Sequence, residues 1–378
     1  MNLKSKFNKF SSRVSRKLGA YPGLRTYVLS LFCKKVVIDN KEEMMEELKR
    51  YTPPCSKEYG SSLCHNELKG GYDLQIIVPA YKVEKYIEDC VESVLSQNSR
   101  YNIMLTIVND GSPDGTRDIL RKYEHLPNVE IIDQENKGFS GARNTGLKVI
   151  KGAYLAFLDS DDMLTPGSID ALMDKMIEND ADIVEGGYVT FRNNEEKECV
   201  THKLTIGSQW LDVLSGYPWG KVYRASLFER LQFPEGYWFE DTMISFLVYP
   251  QSKKIVTIPD VVYRYRLNPN GISANYGGKA KSLDTLLITI QLLQEANKLG
   301  VLNDEQMYDK FYRQLKINSQ RIFSLRNSNL DLLVFRISCY LRNQYFSNRF
   351  TENVKYKTLE NALDKVDFFH YLHDVIKN

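Results

Sequence analysis

The sequence predicts an α/β fold with a mostly parallel sheet flanked by helices, a helical C-terminal appendage and a basic helical N-terminal arm. Three observations support this prediction. Between residues 73 and 178, apolar runs of strand length alternate with segments whose apolar residues recur at helical spacing. From about residue 279 onward, the apolar residues recur at helical spacing only. Residues 1–38 contain nine Lys and Arg residues and no Asp or Glu.

The same observations predict an arm and linker over residues 1–70, an α/β domain over 71–275 and a helical region over 276–378. Strands are expected at residues 74–79, 103–108, 129–132, 153–158, 182–191, 254–258 and 261–266. Helices are expected at residues 41–51, 83–97, 116–123, 141–150, 168–178 and 240–249. Such alternation indicates βαβ units, whose right-handed crossovers place the loops after the strands at one edge of the sheet.

The composition is that of a globular protein. Hydrophobic residues make up 43% of the chain and charged residues 26%, which excludes bulk disorder. The six cysteines are scattered, form no CxxC pair and have no zinc-ligand spacing, so we expect reduced thiols in the cytosol. The sequence has no apolar run of 18 residues and no signal-peptide pattern. We therefore expect a cytoplasmic protein, peripheral on the inner face of the cell membrane if the arm binds there.

The basic arm allows two interpretations. Its apolar residues recur every three or four positions among the cations, at Leu3, Phe7, Phe10, Val14 and Leu18. A basic amphipathic helix of this kind suits an anionic membrane surface. The alternative is a helix that packs on the protein's own body and leaves an ordinary solvated basic face.

Three carboxylates, Asp159, Asp161 and Asp162, follow the apolar run over residues 153–158. They stand where a buried strand is expected to end, and open α/β sheets bind ligands at the carboxyl ends of their strands. Oxygen ligands at this density suit Mg²⁺ or Mn²⁺, with coordination positions left for a phosphate-bearing substrate. The alternative is a solvated acidic turn that caps the next helix, with Asp162 or Thr165 as the N-cap.

Three more polar loops are expected at the same edge of the sheet. They are Val78-Pro79-Ala80-Tyr81 after the first strand, residues 109–116 after the second strand, and residues 135–144 before the third helix. Together with the Asp159 stretch, these loops resemble those of glycosyltransferase family 2, whose members are inverting enzymes with the Rossmann-like GT-A fold. The resemblance covers about residues 73–270 and indicates the bacterial envelope or capsular polysaccharide type.

The resemblance implies a nucleotide and donor site formed by Pro79, Ala80, Tyr81, Asp110, Lys137, Arg143, Asp159 and Ser160. The Tyr81 ring can stack on a nucleobase, and Asp110 can accept a hydrogen bond from a ring N–H. The alternative for Asp110 is an Asx-turn, which the sequence Asn-Asp-Gly-Ser favours. Lys137 and Arg143 can contact the diphosphate or the sugar, Arg143 through a bidentate fork. Their alternatives are a surface cation and a helix-face salt bridge.

The resemblance also implies a metal ion, a catalytic base and an acceptor surface. Mn²⁺ or Mg²⁺ would be held by Asp161 directly and by Asp159, which in the family more often contacts the ribose. Asp241 would take the proton from the acceptor hydroxyl; the alternative is that it complements a helix dipole together with its neighbour. The expected acceptor surface comprises Trp219, Lys221, Trp238 and Glu240. The alternative for the two tryptophans is a place in the core or in a lid.

The implied activity is transfer of a hexosyl or N-acetylhexosaminyl group from a nucleotide-sugar to a glycan or a lipid-linked oligosaccharide. UDP is the expected nucleotide because it is the commonest in the family, and no nucleic acid partner is expected. One alternative is a nucleotidyltransferase, which should carry a glycine-rich basic loop where this chain has residues 78–82. The other is a non-catalytic sugar-binding protein, which the presence of both Asp161 and Asp241 argues against.

Overall fold

The computed structural model describes residues 38, 40–52, 58–193, 195–268 and 275–376. The chain divides into two compact units, of which one is Lys57–Pro269 and the other combines Met1–Ser56 with Asn270–Asn378. We call them the α/β unit and the helical unit. The basic arm predicted over residues 1–35 lies outside the described residues. No helix in the described part of the chain is long and apolar enough to cross a membrane.

The elements of the described chain follow the predicted alternation. The strands are β1 (Glu67–Ala80), β2 (Ile103–Asn109), β3 (Val129–Asp133), β4 (Val149–Phe157), β5 (Met163–Leu164), β6 (Ile183–Arg192), β7 (Glu195–Val200), β8 (Thr205–Gly207), β9 (Lys221–Arg224) and β10 (Ile255–Arg266). The helices are α1 (Lys41–Lys49), α2 (Ile87–Leu95), α3 (Thr116–Leu120), α4 (Gly138–Leu147), α5 (Ser168–Glu178), α6 (Asp284–Leu299), α7 (Glu305–Phe323), α8 (Ser328–Phe346), α9 (Val354–Asp364) and α10 (Phe368–Ile376). Short 3₁₀ and π-helical turns join several of them.

The described strands form one sheet in the order β3-β2-β1-β4-β9-β6-β10-β5, with β7 paired to β6 and β8 paired to β10. The pairs within β3-β2-β1-β4 are parallel, and so is the pair β6-β10. Between these two parts lies β9, which runs antiparallel to both β4 and β6. The structure thus confirms the predicted α/β fold with a mostly parallel sheet. Its strand β4 lies where the parallel part meets the antiparallel strand.

The apolar runs form strands because helices cover both faces of the sheet. In β1, every residue over 74–80 is buried. One face packs on α2 and α5, in a core that includes Val91 and Met173. On the other face α4 approaches so closely that a Cβ on Gly146 would stand 2.6 Å from Cγ2 of Ile77. A larger residue at position 146 would push α4 away from β1, so this glycine sets the position of α4 and of the side chains that it carries.

Several expected elements differ from the structure. The helix predicted at 141–150 is Gly138–Leu147, and residues 149 and 150 already belong to β4. The strands predicted at residues 254–258 and 261–266 are one strand, β10, whose register against β6 shifts twice between Thr257 and Tyr263. The helix predicted at 240–249 becomes a π-helical turn at Ile244–Val248 and a 3₁₀ turn, because Pro250 cannot continue an α-helix. The short strands β5, β7, β8 and β9 were not predicted. Strand β9, with four residues, is too short to show a period.

The helical unit contains α1 and α6 to α10. The prediction of a helix near residues 41–51 is confirmed by α1, whose Met44 and Leu48 are buried. Its Glu47 accepts a hydrogen bond from Arg336 of α8, with 3.1 Å between Oε2 and Nη1. Helix α1 therefore packs with the C-terminal helices, and the predicted helical C-terminal region is present.

Candidate active site

The stretch of residues 159–162, here called the D-x-D turn, begins directly beyond β4. Its conformation is fixed by β10. Asp162 is buried and accepts hydrogen bonds from the Tyr263 hydroxyl at 2.8 Å and from the backbone N–H of Arg266 at 2.7 Å. The Asp159 N–H donates to the same Tyr263 hydroxyl at 3.2 Å. Asp162 therefore supports the turn from inside, and the half-buried Asp159 and Asp161 are the carboxylates left to meet a ligand.

The capping alternative for the D-x-D turn is not what the structure shows. Helix α5 begins after Gly167, whose φ of 76° is left-handed, and no side chain caps it. Asp162 instead bonds to β10, and the Thr165 hydroxyl donates to the Val261 carbonyl. Burial, reinforced by the charge of Asp159, raises the pKa of Asp161. Two half-buried carboxylates this close in the chain fit a divalent cation, which would offset the repulsion between them.

The buried side chain of Arg143 joins the D-x-D turn to the segment that carries Asp241. Its Nη2 lies 2.7 Å from Oδ1 of Asp159, and its Nη1 lies 2.6 Å from Oε1 of Glu240. We call this arrangement the Arg143 bridge. Burial lowers the pKa of Arg143, but the two carboxylates outweigh burial and the pKa is raised above its ordinary value. Arg143 therefore stays charged, and it holds two carboxylates that lie 81 residues apart in the sequence, at positions 159 and 240.

Glu240 and Asp241 differ in their surroundings although they are neighbours in the chain. Glu240 is buried, whereas Asp241 is half-buried. Burial raises the pKa of Glu240 to about 7, with Arg143 opposing the shift and the charge of Asp241 adding to it. Just before them, Phe239 has a φ of 64°, a left-handed conformation that costs a non-glycine residue energy. We call Phe239, Glu240 and Asp241 the base turn. The strained backbone at Phe239 sets the direction in which the side chains of Glu240 and Asp241 leave the chain.

Helix α4 also holds the chain that leads to the base turn. The Asn144 amide donates to the Phe233 carbonyl at 2.8 Å and accepts from the Phe233 N–H at 2.8 Å. The Arg143 guanidinium lies over the Phe233 ring, 5.2 Å from its centroid. Adjacent residues of α4 thus bind this chain twice, once through its backbone and once through Glu240. Sequence reasoning missed Asn144, although it directly follows Arg143 in the third polar loop.

Asp110 holds the start of α4. Its carboxylate accepts hydrogen bonds from the Gln134 amide and the Lys137 N–H, both at 2.7 Å, and from the Gly138 N–H at 2.8 Å. It is 1% exposed. The Asx-type contact of this loop comes from Asn109, whose Oδ1 accepts from the Ser112 N–H. The structure thus gives Asp110 a positioning role, and its contact with a nucleobase stays a prediction.

The other predicted donor residues lie at the same edge of the sheet. Tyr81 is 41% exposed and is followed by Lys82 in a left-handed conformation, with a φ of 56°. The Lys82 N–H donates to the Ser112 hydroxyl, which ties this loop to the loop after β2. Pro79, Ala80 and Ser160 are buried, and Lys137 is exposed at the start of α4. An exposed aromatic ring and an exposed cation at this edge of the sheet could stack on a flat ring and bind an anion.

Two of the residues predicted for the acceptor surface are instead buried. Lys221 is 1% exposed, and its ammonium lies 3.1 Å from the carboxylate of Glu185. Trp219 is 4% exposed and stacks on Tyr263 and on Tyr265. Neither Lys221 nor Trp219 presents a surface that an acceptor could cover. Of the other two, Trp238 is half-buried and Glu240 is taken up by the Arg143 bridge.

Known proteins resemble this chain in sequence and in structure. The family model described as glycosyl transferase family 2 matches residues 75–231. Glycosyltransferase GlyA of Streptococcus pneumoniae serotype 4 is 32% identical over 218 residues, which are 53% of this chain and 31% of GlyA. Glycosyltransferase GlyG of the same organism is 32% identical over 219 residues, which are 53% of this chain and 72% of GlyG. S. aureus TarS 1–349, solved in complex with UDP-GlcNAc, is 20% identical, with a TM-score of 0.57 over 81% of this chain and 91% of that chain.

These similarities establish different things. The chain spans about a third of GlyA, so the activity of that longer protein does not transfer to it. The likeness to TarS concerns the fold alone, and it confirms the predicted GT-A fold with its helical C-terminal region. The alignment with GlyG covers nearly three quarters of the length of GlyG. The family model matches most of the α/β unit. The chain therefore belongs to glycosyltransferase family 2.

Proposed function

We propose that the protein is an inverting glycosyltransferase that moves a hexosyl or N-acetylhexosaminyl group from a UDP-linked donor to a hydroxyl of a glycan or lipid-linked oligosaccharide in cell-surface polysaccharide synthesis. The observation that carries the proposal is the Arg143 bridge. It places the D-x-D turn and the base turn within the span of one arginine side chain. The carboxylates at the diphosphate and the base at the acceptor hydroxyl must lie this close, because the acceptor oxygen attacks the same anomeric carbon that the diphosphate leaves.

The donor end of the proposed site consists of Asp161 and Asp159. Among the described residues, no group of three His, Cys, Asp or Glu side chains could hold a metal ion by itself. Mg²⁺ and similar ions are often held by one or two carboxylates plus substrate phosphates, so this pair is sufficient if the diphosphate completes the coordination. When bound, Mn²⁺ or Mg²⁺ would stabilise the negative charge that develops on the leaving diphosphate. Arg143 neutralises part of the charge of Asp159 and leaves Asp161 as the main ligand.

The acceptor end consists of Asp241. In the proposed reaction Asp241 takes the proton of the acceptor hydroxyl while that oxygen attacks the anomeric carbon on the side opposite the diphosphate, which inverts the configuration. The structure supports Asp241 over Glu240 for this role, because Glu240 is buried and ion-paired with Arg143. The ion pair between Glu240 and Arg143 keeps the base turn attached to α4.

Replacing Asp241 by Asn should reduce transfer by about 10²- to 10⁴-fold, the usual contribution of a general base, since the amide cannot accept the proton. The loss should appear in kcat and leave the affinity for UDP unchanged, because the base acts in the transition state. Turnover of a UDP-sugar panel measures the first quantity, and calorimetry with UDP measures the second. Asp118→Asn, which changes an exposed carboxylate on α3, is the matched control. Wild-type turnover in Asp241→Asn would place the base elsewhere.

Replacing Asp161 by Asn should weaken UDP binding in the presence of Mn²⁺ by roughly tenfold or more, because the site loses its main anionic ligand. Titration calorimetry with UDP, with and without Mn²⁺, separates the contribution of the metal. Without Mn²⁺ the variant and the wild-type protein should bind UDP alike. Equal affinity in the presence of Mn²⁺ would rule out Asp161 as a metal ligand.

Arg143→Gln should destabilise the α/β unit by about 3–5 kcal/mol, because it removes the counter-charge of both Asp159 and Glu240. Glu240→Gln should cost less, because Arg143 keeps its ion pair with Asp159. Arg143→Gln and Glu240→Gln should therefore be non-additive, with a coupling of roughly 0.5–3 kcal/mol in a double-mutant cycle. Urea unfolding followed by tryptophan fluorescence suits this test, because all three tryptophans, at 210, 219 and 238, lie in the α/β unit.

The exposed pair Lys122 and Glu88, whose side chains are 56% and 53% exposed, provides the matched control for this cycle. The substitutions Lys122→Gln and Glu88→Gln should cost no more than about 1 kcal/mol. Additive effects of Arg143→Gln and Glu240→Gln would contradict a bridge that holds the two turns together.

We also propose that the basic arm brings the enzyme to an anionic membrane surface, where lipid-linked acceptors lie. Each Lys or Arg near such a surface contributes about 1 kcal/mol, so a few of the nine cations suffice for measurable binding. Co-sedimentation with vesicles containing phosphatidylglycerol should fall on deletion of residues 1–35 and on raising the salt concentration. Neutral phosphatidylcholine vesicles serve as the control. Equal sedimentation of the full and the truncated chain would show that the arm has another role.

A further inference from the structure

We propose that Tyr217 forms the surface on which a sugar ring of the acceptor stacks. This inference rests on the proposed function and names a part of its acceptor site. Tyr217 is 43% exposed, in contrast to Trp219, which is 4% exposed. The two rings are stacked nearly parallel, with centroids 4.5 Å apart and 7° between their planes. Trp219 is therefore the support beneath an exposed ring.

The loop that carries Tyr217, residues 215–220, is fixed by an ion pair that is buried beneath it. The Lys221 ammonium donates to the Ser215 hydroxyl at 2.7 Å, to the Tyr217 carbonyl at 2.8 Å and to the Trp219 carbonyl at 3.3 Å. The ammonium is paired with Glu185, which also accepts from the Ser215 N–H at 3.0 Å. A buried ion pair gives little net stability, because both charges must be desolvated. Here it serves to hold a surface loop in one conformation, as a binding surface requires.

More buried side chains bind the same loop. The Tyr223 hydroxyl donates to the Pro218 carbonyl at 3.0 Å, and the Tyr249 hydroxyl donates to the Ser215 carbonyl. The Tyr188 ring meets the Tyr217 ring edge-on, with centroids 6.4 Å apart and 84° between their planes. The Tyr217 ring packs on two other rings, and the backbone of its loop is held at Ser215 and Pro218. An exposed ring in such a loop loses little conformational entropy when a ligand covers it.

The loop lies beside the D-x-D turn. Trp219 forms a β-bridge with Phe157, the last residue of β4. The Trp219 ring also stacks on Tyr263, with centroids 4.4 Å apart. The hydroxyl of Tyr263 is the group that accepts from the Asp159 N–H. Two stacked rings thus connect the exposed Tyr217 to the backbone of the proposed metal site.

The strand order assigns Tyr217 to the acceptor rather than to the nucleotide. The loops that carry Tyr81 and Asp110 follow β1 and β2, on one side of β4. The Tyr217 loop leads into β9, on the other side of β4. The D-x-D turn therefore lies between the predicted nucleoside loops and Tyr217. An aromatic face suits the C–H face of a pyranose, and the phenol hydroxyl adds a hydrogen-bonding group, so the occupant that we infer is a sugar ring.

Saturation-transfer NMR with the methyl glycosides of glucose, galactose, N-acetylglucosamine and N-acetylgalactosamine tests this inference. The full chain is used, with and without UDP and Mn²⁺. At least one glycoside should receive saturation at its ring C–H protons, and its dissociation constant should rise about tenfold in Tyr217→Ala. Tyr217→Phe, which keeps the ring, should stay within a few-fold of wild type. Phe350→Ala, which removes a 73% exposed aromatic ring of the helical unit, should change nothing.

Three results would overturn the inference. They are binding of none of the glycosides, equal binding by wild type and Tyr217→Ala, and a loss in Tyr217→Ala that affects a UDP-sugar instead of the glycosides. UDP affinity, measured by calorimetry on each variant, keeps this test separate from that of the proposed function. A wild-type protein that binds no UDP contradicts the proposed donor, whereas normal UDP binding with no effect of Tyr217→Ala contradicts only the sugar surface.

Discussion

The charge of Arg143 has to be balanced inside the protein, because its side chain is only 6% exposed. A buried guanidinium without counter-charges would cost several kcal/mol, and Asp159 and Glu240 supply those charges from two distant parts of the chain. The balance works in both directions, since each carboxylate is also partly desolvated and depends on the arginine. The D-x-D turn, α4 and the base turn are therefore held as one arrangement, and none of them can move far without leaving an unpaired charge.

The sheet explains why this arrangement forms where it does. Strand β4 has a parallel neighbour on one side and the antiparallel β9 on the other. Loops from both parts of the sheet consequently meet at its carboxyl end. The parallel part brings the loops after β1 and β2, while β9 brings the loop with Trp219. This boundary between the parallel strands and β9 suits a site for two substrates, because loops from different parts of the sheet can contact each substrate.

Sequence reasoning predicted those elements that carry their own local signal. The runs that became β1 and β2 are apolar because both sheet faces are covered, and α5 was predicted with the bounds that the structure shows. Strand β9 was missed because four residues are too few to show a period, and the π-helical turn was missed because the prediction continued an apolar helix up to Pro250. In the site, Asp159, Asp161 and Asp241 were singled out from motifs. The pairing of Arg143 with Glu240 was not, because no local pattern relates positions 97 residues apart.

The same limit explains the burial of Lys221. A lysine next to a tryptophan and a glycine looks like part of a binding surface in sequence. Only the fold reveals Glu185 beneath it, on the neighbouring strand β6. The burial of a charged residue depends on where its partner lies, and the partner is 36 positions away, from 185 to 221.

The left-handed backbone of Phe239 restricts which residues can occupy that position. Glycine, asparagine and aspartate adopt this conformation at low cost, whereas phenylalanine pays roughly 1–2 kcal/mol for it. Each of the cheaper residues would remove the aromatic ring, which meets Trp238 edge-on with centroids 6.4 Å apart. Position 239 is therefore one at which stabilising substitutions chosen by a protein engineer would act directly on the geometry of the neighbouring carboxylates.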